Sequence, residues 1–510
     1  MAADTIEVNT PRGRLKGSVT AGIAAFRGIR YAAPPVGALR LRSPRAPAAW
    51  TGVQDATRAG PASLQTLGGN QTWMNEPIPD QSEDCLFLNV WTPDVTANLP
   101  VLFWLHGGAT RNGHGAAPGI GGSALAGSQN LVVVTINYRL GALGGLAHPD
   151  LADPESGFCA NWGMQDKLAA LAWVRDSIAA FGGDPGNVTM AGQSSGGANA
   201  AIIAQHGLAA DCYRRIIVQS PPLFRPPMFV ELDAAAEYTE VLAGKLGVSV
   251  AGLRDIDGVA LQRAEQALAS SPELAASMGR PRTAPVRDGK LLQHWSYDAP
   301  AANCAVLAGW TREEANFWFD LHDVDGRVLS PQKAPANAAE LEKRIGGLMG
   351  LHYAFADKPQ ATAVAQAYAG NGDPAAAWCA LYTDLVFRAP ILHFAGRQAR
   401  AGHATYAYEF AYPLPAPGRG APHASDVPFI FGTTGAPHFA RKIGSGPAVD
   451  ALSSAMMQAW GAFARDGNPG SAWPLFDPQR PQVMQFGPAH AAVGELRGYD
   501  RLALWPAYTA

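Results

Sequence analysis

Cysteine is scarce and scattered in this chain: Cys85, Cys159, Cys212, Cys304 and Cys379 are five in 510 residues, an odd set without metal-ligand spacing. No metal or organic cofactor is implied. Charged residues are equally sparse, at 16%, and the net charge of −3 argues against a nucleic-acid partner. Only eight lysines accompany thirty-one arginines, which with abundant alanine reads as GC-rich coding rather than a binding surface. No apolar run approaches the about 18 residues of a membrane span, so none is expected. Repeats, low-complexity tracts and linkers are missing as well. One continuous unit over 1–510 is therefore expected, although length alone would suggest about three domains. Hydrophobic residues, at 47%, suffice for a large core.

What the chain does contain is a set of motifs at strand ends. Gly192-Gln193-Ser194-Ser195-Gly196 follows an apolar strand, Asn187 to Ala191, and precedes a helix of small residues, Gly197 to Gln205. A serine in so tight a strand-to-helix turn is forced into a strained backbone that lifts its hydroxyl clear of the sheet. The pentapeptide also arises by chance in a chain with 56 glycines, so its companions decide. A serine nucleophile needs a base, an orienting acid and donors for an oxyanion. Upstream, the apolar run Pro100 to Leu105 reads as a buried strand and ends in His106-Gly107-Gly108-Ala109. Glycines there leave backbone N–H groups free to face a developing oxyanion. This segment is similar to the oxyanion loop of α/β-hydrolases, whose remaining donor is the N–H after the nucleophile, here that of Ser195.

The periodicity predicts alternating strands and helices through the first half. Residues 6–27, within an N-terminal region of about 1–30, read as short hairpins, and Leu131 to Ile136 and Arg215 to Val218 as buried central strands. Gln165 to Phe181 has helical spacing and stops at Gly182-Gly183. About 225–300 and 325–400 are mostly helical, interrupted by proline and glycine.

Phe26 to Gly37 (FRGIRYAAPPVG), Glu83 to Trp91 (EDCLFLNVW), Asn137 to Gly141 (NYRLG), Phe181 to Thr189 (FGGDPGNVT) and Trp460 to Pro469 (WGAFARDGNP) extend the pattern across nearly the whole chain. On these motifs the chain resembles the type B carboxylesterases, which include cholinesterases, bacterial para-nitrobenzyl esterases, some fungal lipases and the non-catalytic neuroligins. The resemblance implies an α/β fold of the α/β-hydrolase kind, with a large central mixed, mostly parallel sheet flanked by helices. The segments 225–300 and 325–400 would then be helical insertions roofing the active site, where substrate choice is made.

The resemblance also assigns roles. His423, in Gly420-Ala421-Pro422-His423-Ala424-Ser425-Asp426, is similar to the family's catalytic-histidine loop, and Gly309-Trp310-Thr311-Arg312-Glu313-Glu314 to the segment presenting its acid. Counting from Gly309 selects Glu314, with Glu313 the neighbour open to confusion. The order Ser194, Glu314, His423 is that expected of the fold. Gly108, Ala109 and Ser195 would supply the oxyanion donors. Ser220, Gln193 and His106 would support the triad, Ser220 by hydrogen bonding and His106 structurally at its strand end. For Ser220 the alternative is an ordinary strand-end serine. Trp295, Trp310, Trp318 and Trp378 either line a hydrophobic gorge or are packed core.

Departures from the family bear on substrate. Gln193 stands where relatives commonly carry glutamate, which removes an attraction for cations. Thr110-Arg111-Asn112-Gly113-His114 follows the oxyanion loop where an aromatic residue is usual. Arg111, with Arg225 and the neighbouring Thr110, forms a candidate substrate-binding set for a carboxylate on the acyl group. The alternative is that both arginines point to solvent or brace local carboxylates. The first reading suits an esterase for substrates bearing free carboxylates, such as the tricarballylate esters of fumonisin. The other leaves a broad-specificity esterase or lipase acting on neutral or tertiary-alcohol esters. A neuroligin-like binding protein is a different class, disfavoured by the complete triad. No cysteine precedes Cys85, so the disulfide that many secreted relatives form there has no partner in this chain. Met1 to Val8 show no basic or apolar leader. The expectation is a cytoplasmic bacterial enzyme, secreted or periplasmic only if a signal peptide had been removed. It would act on a small-molecule ester as monomer or homodimer.

Overall fold

The computed structural model describes residues 4–75, 77–223, 229–271, 284–295, 299–352, 361–370, 372–415, 420–488, 491–496 and 498–505. Its N-terminal strands β1 (Asp4–Thr10), β2 (Gly13–Thr20) and β3 (Ile23–Arg30) form the expected hairpins, and β4 (Val53–Asp55) pairs with β2. The centre of the sheet comprises β5 (Phe87–Thr92), β6 (Leu99–Leu105), β7 (Val132–Ile136), β8 (Gly183–Gln193) and β9 (Arg215–Gln219). A separate two-stranded sheet pairs β10 (Val230–Glu231) with β11 (Val286–Arg287), after which β12 (Ala305–Thr311), β13 (Thr405–Phe410), β14 (Gln482–Phe486) and β15 (Ala491–Glu495) complete the main sheet. Its order is β1-β2-β3-β5-β7-β6-β8-β9-β12-β13-β14-β15. From β7 to β14 every neighbouring pair is parallel, and antiparallel strands flank them on both sides.

The apolar runs explain the central position of β6 and β7, whose residues are all buried. A strand covered by helices on both faces needs no polar alternation. Side chains still alternate in direction. Val101, Phe103, Leu105, Val132, Val134 and Ile136 join the core on one face, and Leu102, Trp104 and Val133 that on the other. The helix Trp162–Ser177 covers the first face, starting earlier than the spacing indicated and closing with a tighter turn, Ile178–Phe181. Near its start Asp166 accepts from Arg139 Nε at 2.8 Å and Nη2 at 2.7 Å, a buried pair that ties the helix to the segment after β7.

The insertions are helical where expected. Leu232–Leu246 and Gly258–Ala269 pack Tyr238, Leu242, Leu261 and Leu268 into a small core shared with Leu41, Leu143, Leu146, Leu151 and Trp162. Ala338–His352, Ala361–Tyr368 and a long helical stretch Pro374–Arg400 form the second. That stretch is long and apolar enough to cross a membrane by length and composition, although Asp384 and Arg388 interrupt it. Its window is 72% buried inside the molecule, as a core helix is. Among the described residues no other helix passes that test.

The helix after the nucleophile candidate runs Ser195–Gln205, two residues earlier than expected, and all of it is buried. It approaches β6 so closely that a Cβ on Gly196 would lie 2.1 Å from the Leu105 carbonyl oxygen. Gly196→Ala is therefore expected to cost more than the about 1–3 kcal/mol of ordinary overpacking, because backbone rather than a side chain must move. Urea unfolding of the purified variant measures this, and an unchanged midpoint would contradict the close approach.

Candidate active site

Three chain segments meet at the C-terminal edge of the parallel strands, where open α/β sheets hold their ligands. Ser194 caps β8 with φ 57° and ψ −128°, a conformation that costs energy in a non-glycine residue and aims its side chain out of the sheet. Glu314 follows β12 and is fully buried. Its Oε1 accepts from the Thr311 N–H at 2.8 Å, and its Oε2 accepts from His423 Nδ1. Glu313 turns elsewhere, accepting from the Ala421 N–H at 2.7 Å and so bracing the loop that carries His423. The choice between the two glutamates is thereby made by geometry.

His423 is buried beneath Trp318, Phe387 and Phe317, with ring centroids 4.9, 5.0 and 5.6 Å from the imidazole. This enclosure excludes water and strengthens the pairing with Glu314. Because Nδ1 donates to Glu314, Nε2 of the neutral ring is an acceptor. It receives Gln193 Nε2 at 3.0 Å, so Gln193 touches the base directly.

The oxyanion loop has a left-handed backbone at three successive residues, Gly108 (φ 114°), Ala109 (φ 54°) and Thr110 (φ 59°). Arg111 and Asn112 both donate their N–H to the Gly108 carbonyl at 3.0 Å, closing the turn. Among the described residues the N–H groups of Gly108, Ala109 and Ser195 donate to no partner, as oxyanion donors must. His106 lies behind the loop and bonds its backbone. Burial pulls its pKa down to about 3, it stacks on Tyr138 at 4.2 Å, and its Nδ1 donates to the Gly107 carbonyl at 2.8 Å.

Ser194, His423, Gln193, Gly108 and Ala109 share one cavity of about 90 Å³. Its remaining walls include Gln71, Asn75 and Asn112, neutral amides, and Trp104, Ile120, Phe317 and Trp318. The sequence reading missed most of these walls, because Gln71, Asn75 and Ile120 lie in loops and short helices without a motif. A larger cavity of about 590 Å³ lies behind segment 312–320, and the triad does not line it.

Other expectations are corrected. Ser220 is fully buried, but its Oγ has no hydrogen-bond partner among the described residues, so it does not bond the triad. Its backbone N–H donates to Gly309 at 2.7 Å, which makes it a strand-end residue with φ 46°. Thr110 Oγ1 donates to the Ala109 carbonyl at 2.6 Å, and the residue lines a small cleft behind the loop rather than the cavity of Ser194. Arg111 pairs with buried Glu265 at 3.0 Å and is not in the cavity wall. Arg225 lies outside the described residues. Of the four tryptophans only Trp318 lines the cavity. Trp310 and Trp378 are buried core, and Trp295 packs on Phe229.

Comparison with known proteins agrees with this architecture. The family model described as "Carboxylesterase family" matches residues 4–505. Phenmedipham hydrolase of Pseudarthrobacter oxydans is 32% identical over 509 residues, covering 95% of this chain and 96% of the relative. Fumonisin B1 esterase of Sphingopyxis macrogoltabida is 33% identical over 498 residues, 94% of this chain and 86% of the relative. A solved para-nitrobenzyl (PNB) esterase superposes with a TM-score of 0.82 at 29% identity, covering 98% of this chain and 99% of that one. The chain belongs to the carboxylesterase family, with the α/β-hydrolase fold. It is a carboxylic ester hydrolase.

One buried group beside the triad has a measurable signature. Asp426 Oδ2 accepts from Tyr408 Oη at 2.8 Å and Gln219 Nε2 at 3.0 Å. Desolvation, with the nearby Glu314 charge adding to it, raises its pKa from the ordinary 3.8 to about 6. Between those values the native state holds a proton that the unfolded chain has lost, so this group makes stability fall as pH rises from about 4 to about 6. Asp426→Asn should remove that loss. In urea unfolding from pH 4 to pH 7, its stability relative to the unsubstituted protein is expected to improve with pH. A pH-independent difference would contradict the assignment.

Proposed function

We propose that the protein hydrolyses carboxylic esters through an acyl-enzyme on Ser194, with His423 as base and Glu314 as the acid that orients it. The observation that carries this reading is the bond from His423 Nδ1 to Glu314, with Nε2 facing the cavity of the strained Ser194. Substrate binding exchanges the Gln193 amide on Nε2 for the Ser194 hydroxyl, in keeping with the tightening of catalytic contacts in the bound complex. Ser194 Oγ then attacks the carbonyl carbon while its proton passes to Nε2, and Glu314 stabilises the imidazolium. The N–H groups of Gly108, Ala109 and Ser195 hold the oxyanion, each worth on the order of 10²–10³ in rate. The imidazolium protonates the departing alcohol. Water, deprotonated by the same nitrogen, releases the acid.

The cavity favours an uncharged acyl group. Its walls are apolar or neutral amide, and the nearby Arg111 is matched by Glu265. The competing reading, a substrate with free carboxylates, draws on the likeness to a protein named fumonisin B1 esterase and on Arg111 and Arg225. With the Arg111 charge already paired, the neutral ester is the better fit.

Ser194→Ala and His423→Ala are each expected to lower kcat by about 10⁴ or more while leaving the fold intact. Stopped assays on a chromogenic ester measure this, and near-normal turnover in either variant refutes the assignment. For two esters of one alcohol, one acyl chain neutral and the other ending in a carboxylate, kcat/KM should favour the neutral substrate at every ionic strength. A preference for the acidic ester that fades with salt would overturn the neutral reading.

A further inference from the structure

We propose that Glu265, through its ion pair with Arg111, is a positioning residue that holds the oxyanion loop in its donating conformation; this rests on the acyl-enzyme reading above. The loop needs such support. Two non-glycine residues in succession, Ala109 and Thr110, adopt left-handed backbone, at a cost of roughly 1–2 kcal/mol each. Strained geometry of this kind persists only where its surroundings over-determine it.

Several contacts among the described residues hold the turn. The Thr110 N–H donates to Ser195 Oγ at 3.3 Å, and the Gly141 N–H donates to the Thr110 carbonyl at 2.9 Å. The Gly108 carbonyl takes the two N–H bonds already described. A further contact runs from this loop to the helix Gly258–Ala269. Arg111 Nη1 lies 3.0 Å from Glu265 Oε1, and Nη2 donates to Oε2 at 3.2 Å. One charge-assisted hydrogen bond from Nη2 and the close approach of Nη1 hold the guanidinium against the carboxylate.

The partner is rigidly mounted. Glu265 belongs to the helix Gly258–Ala269, whose first turn is capped by Asp257 accepting from the Val259 and Ala260 N–H groups at 3.0 and 3.2 Å. Leu261, Glu265 and Leu268 occupy one helical face, and all three are buried. Tyr238 Oη donates to Glu265 Oε1 at 3.3 Å from the neighbouring helix. A carboxylate on an apolar helix face is costly without a counter-charge, and Arg111 supplies it. The pair therefore couples the helix Gly258–Ala269 to the loop that carries the N–H groups of Gly108 and Ala109.

The experiment measures kcat and KM on a neutral ester for Arg111→Ala, Arg111→Lys, Glu265→Gln and the double variant Arg111→Ala/Glu265→Gln, with melting temperature alongside. Glu265→Gln preserves shape and serves as the test if Arg111→Ala does not fold. Each single loss is expected to lower kcat about tenfold or more with KM within about twofold, as weakened oxyanion donation does. Arg111→Lys should recover part of the rate, and the double variant should be no worse than the worse single one. Unchanged kcat with a lowered melting temperature overturns the proposal in favour of a simple brace. A rise in KM confined to carboxylate-bearing esters overturns it in favour of substrate recognition by Arg111. Failure of the underlying reading is separate, since turnover by the unsubstituted protein would then survive Ser194→Ala.

Discussion

The site depends on how closely the helix Ser195–Gln205 sits against the strands that precede it. At Gly192 and Gly196 there is no room for a Cβ, and the chain must reverse within a single residue between β8 and the helix. Ser194 absorbs that reversal in its unusual backbone angles. Because β8 pairs with β6 on one side and β9 on the other, the serine is set in register with the oxyanion loop after Leu105 and with Gln219. The other catalytic groups are arranged around a position that packing alone has fixed.

Around that position the protein separates polar groups by what each can afford in a dry environment. His106 sits behind the loop as a neutral ring, held so by burial, with its Nδ1 donating to the Gly107 carbonyl. His423 is equally buried but has a carboxylate, that of Glu314, as the partner of its Nδ1. Asp426, close by, is fully desolvated with the neutral donors Tyr408 and Gln219 and the nearby Glu314 charge, so its own charge is disfavoured. Neighbouring side chains in one low-dielectric region thus take different protonation behaviour from different partners.

Motif-bearing parts of the fold were legible from residue order. A strand buried on both faces announces itself as an unbroken apolar run, as in Leu99–Leu105 and Val132–Ile136. A turn that only small residues can make announces itself through glycine, as around Ser194. The cavity walls had no comparable signal. Gln71, Asn75 and Asn112 come together through loops whose sequence imposes no period. Glu265 did have one, being a carboxylate on the Leu261 and Leu268 face of a helix, a pattern that asks for a buried partner without naming it. Ser220 was misread because proximity in the chain to a catalytic strand says nothing about where a hydroxyl points.

Sequence alone determined the class of chemistry, since a glycine loop, a serine elbow and a histidine loop in that order admit few other uses. It determined the central strands, because these rest on hydrophobic runs, while the order Ser194, Glu314, His423 is what the family resemblance implied. Tertiary structure decided which of two adjacent glutamates meets His423, and that Gln193 touches the imidazole. It also decided that the unusual arginine of the oxyanion loop faces a carboxylate of its own chain rather than the cavity. These outcomes depend on contacts between residues more than a hundred positions apart, which local sequence does not encode.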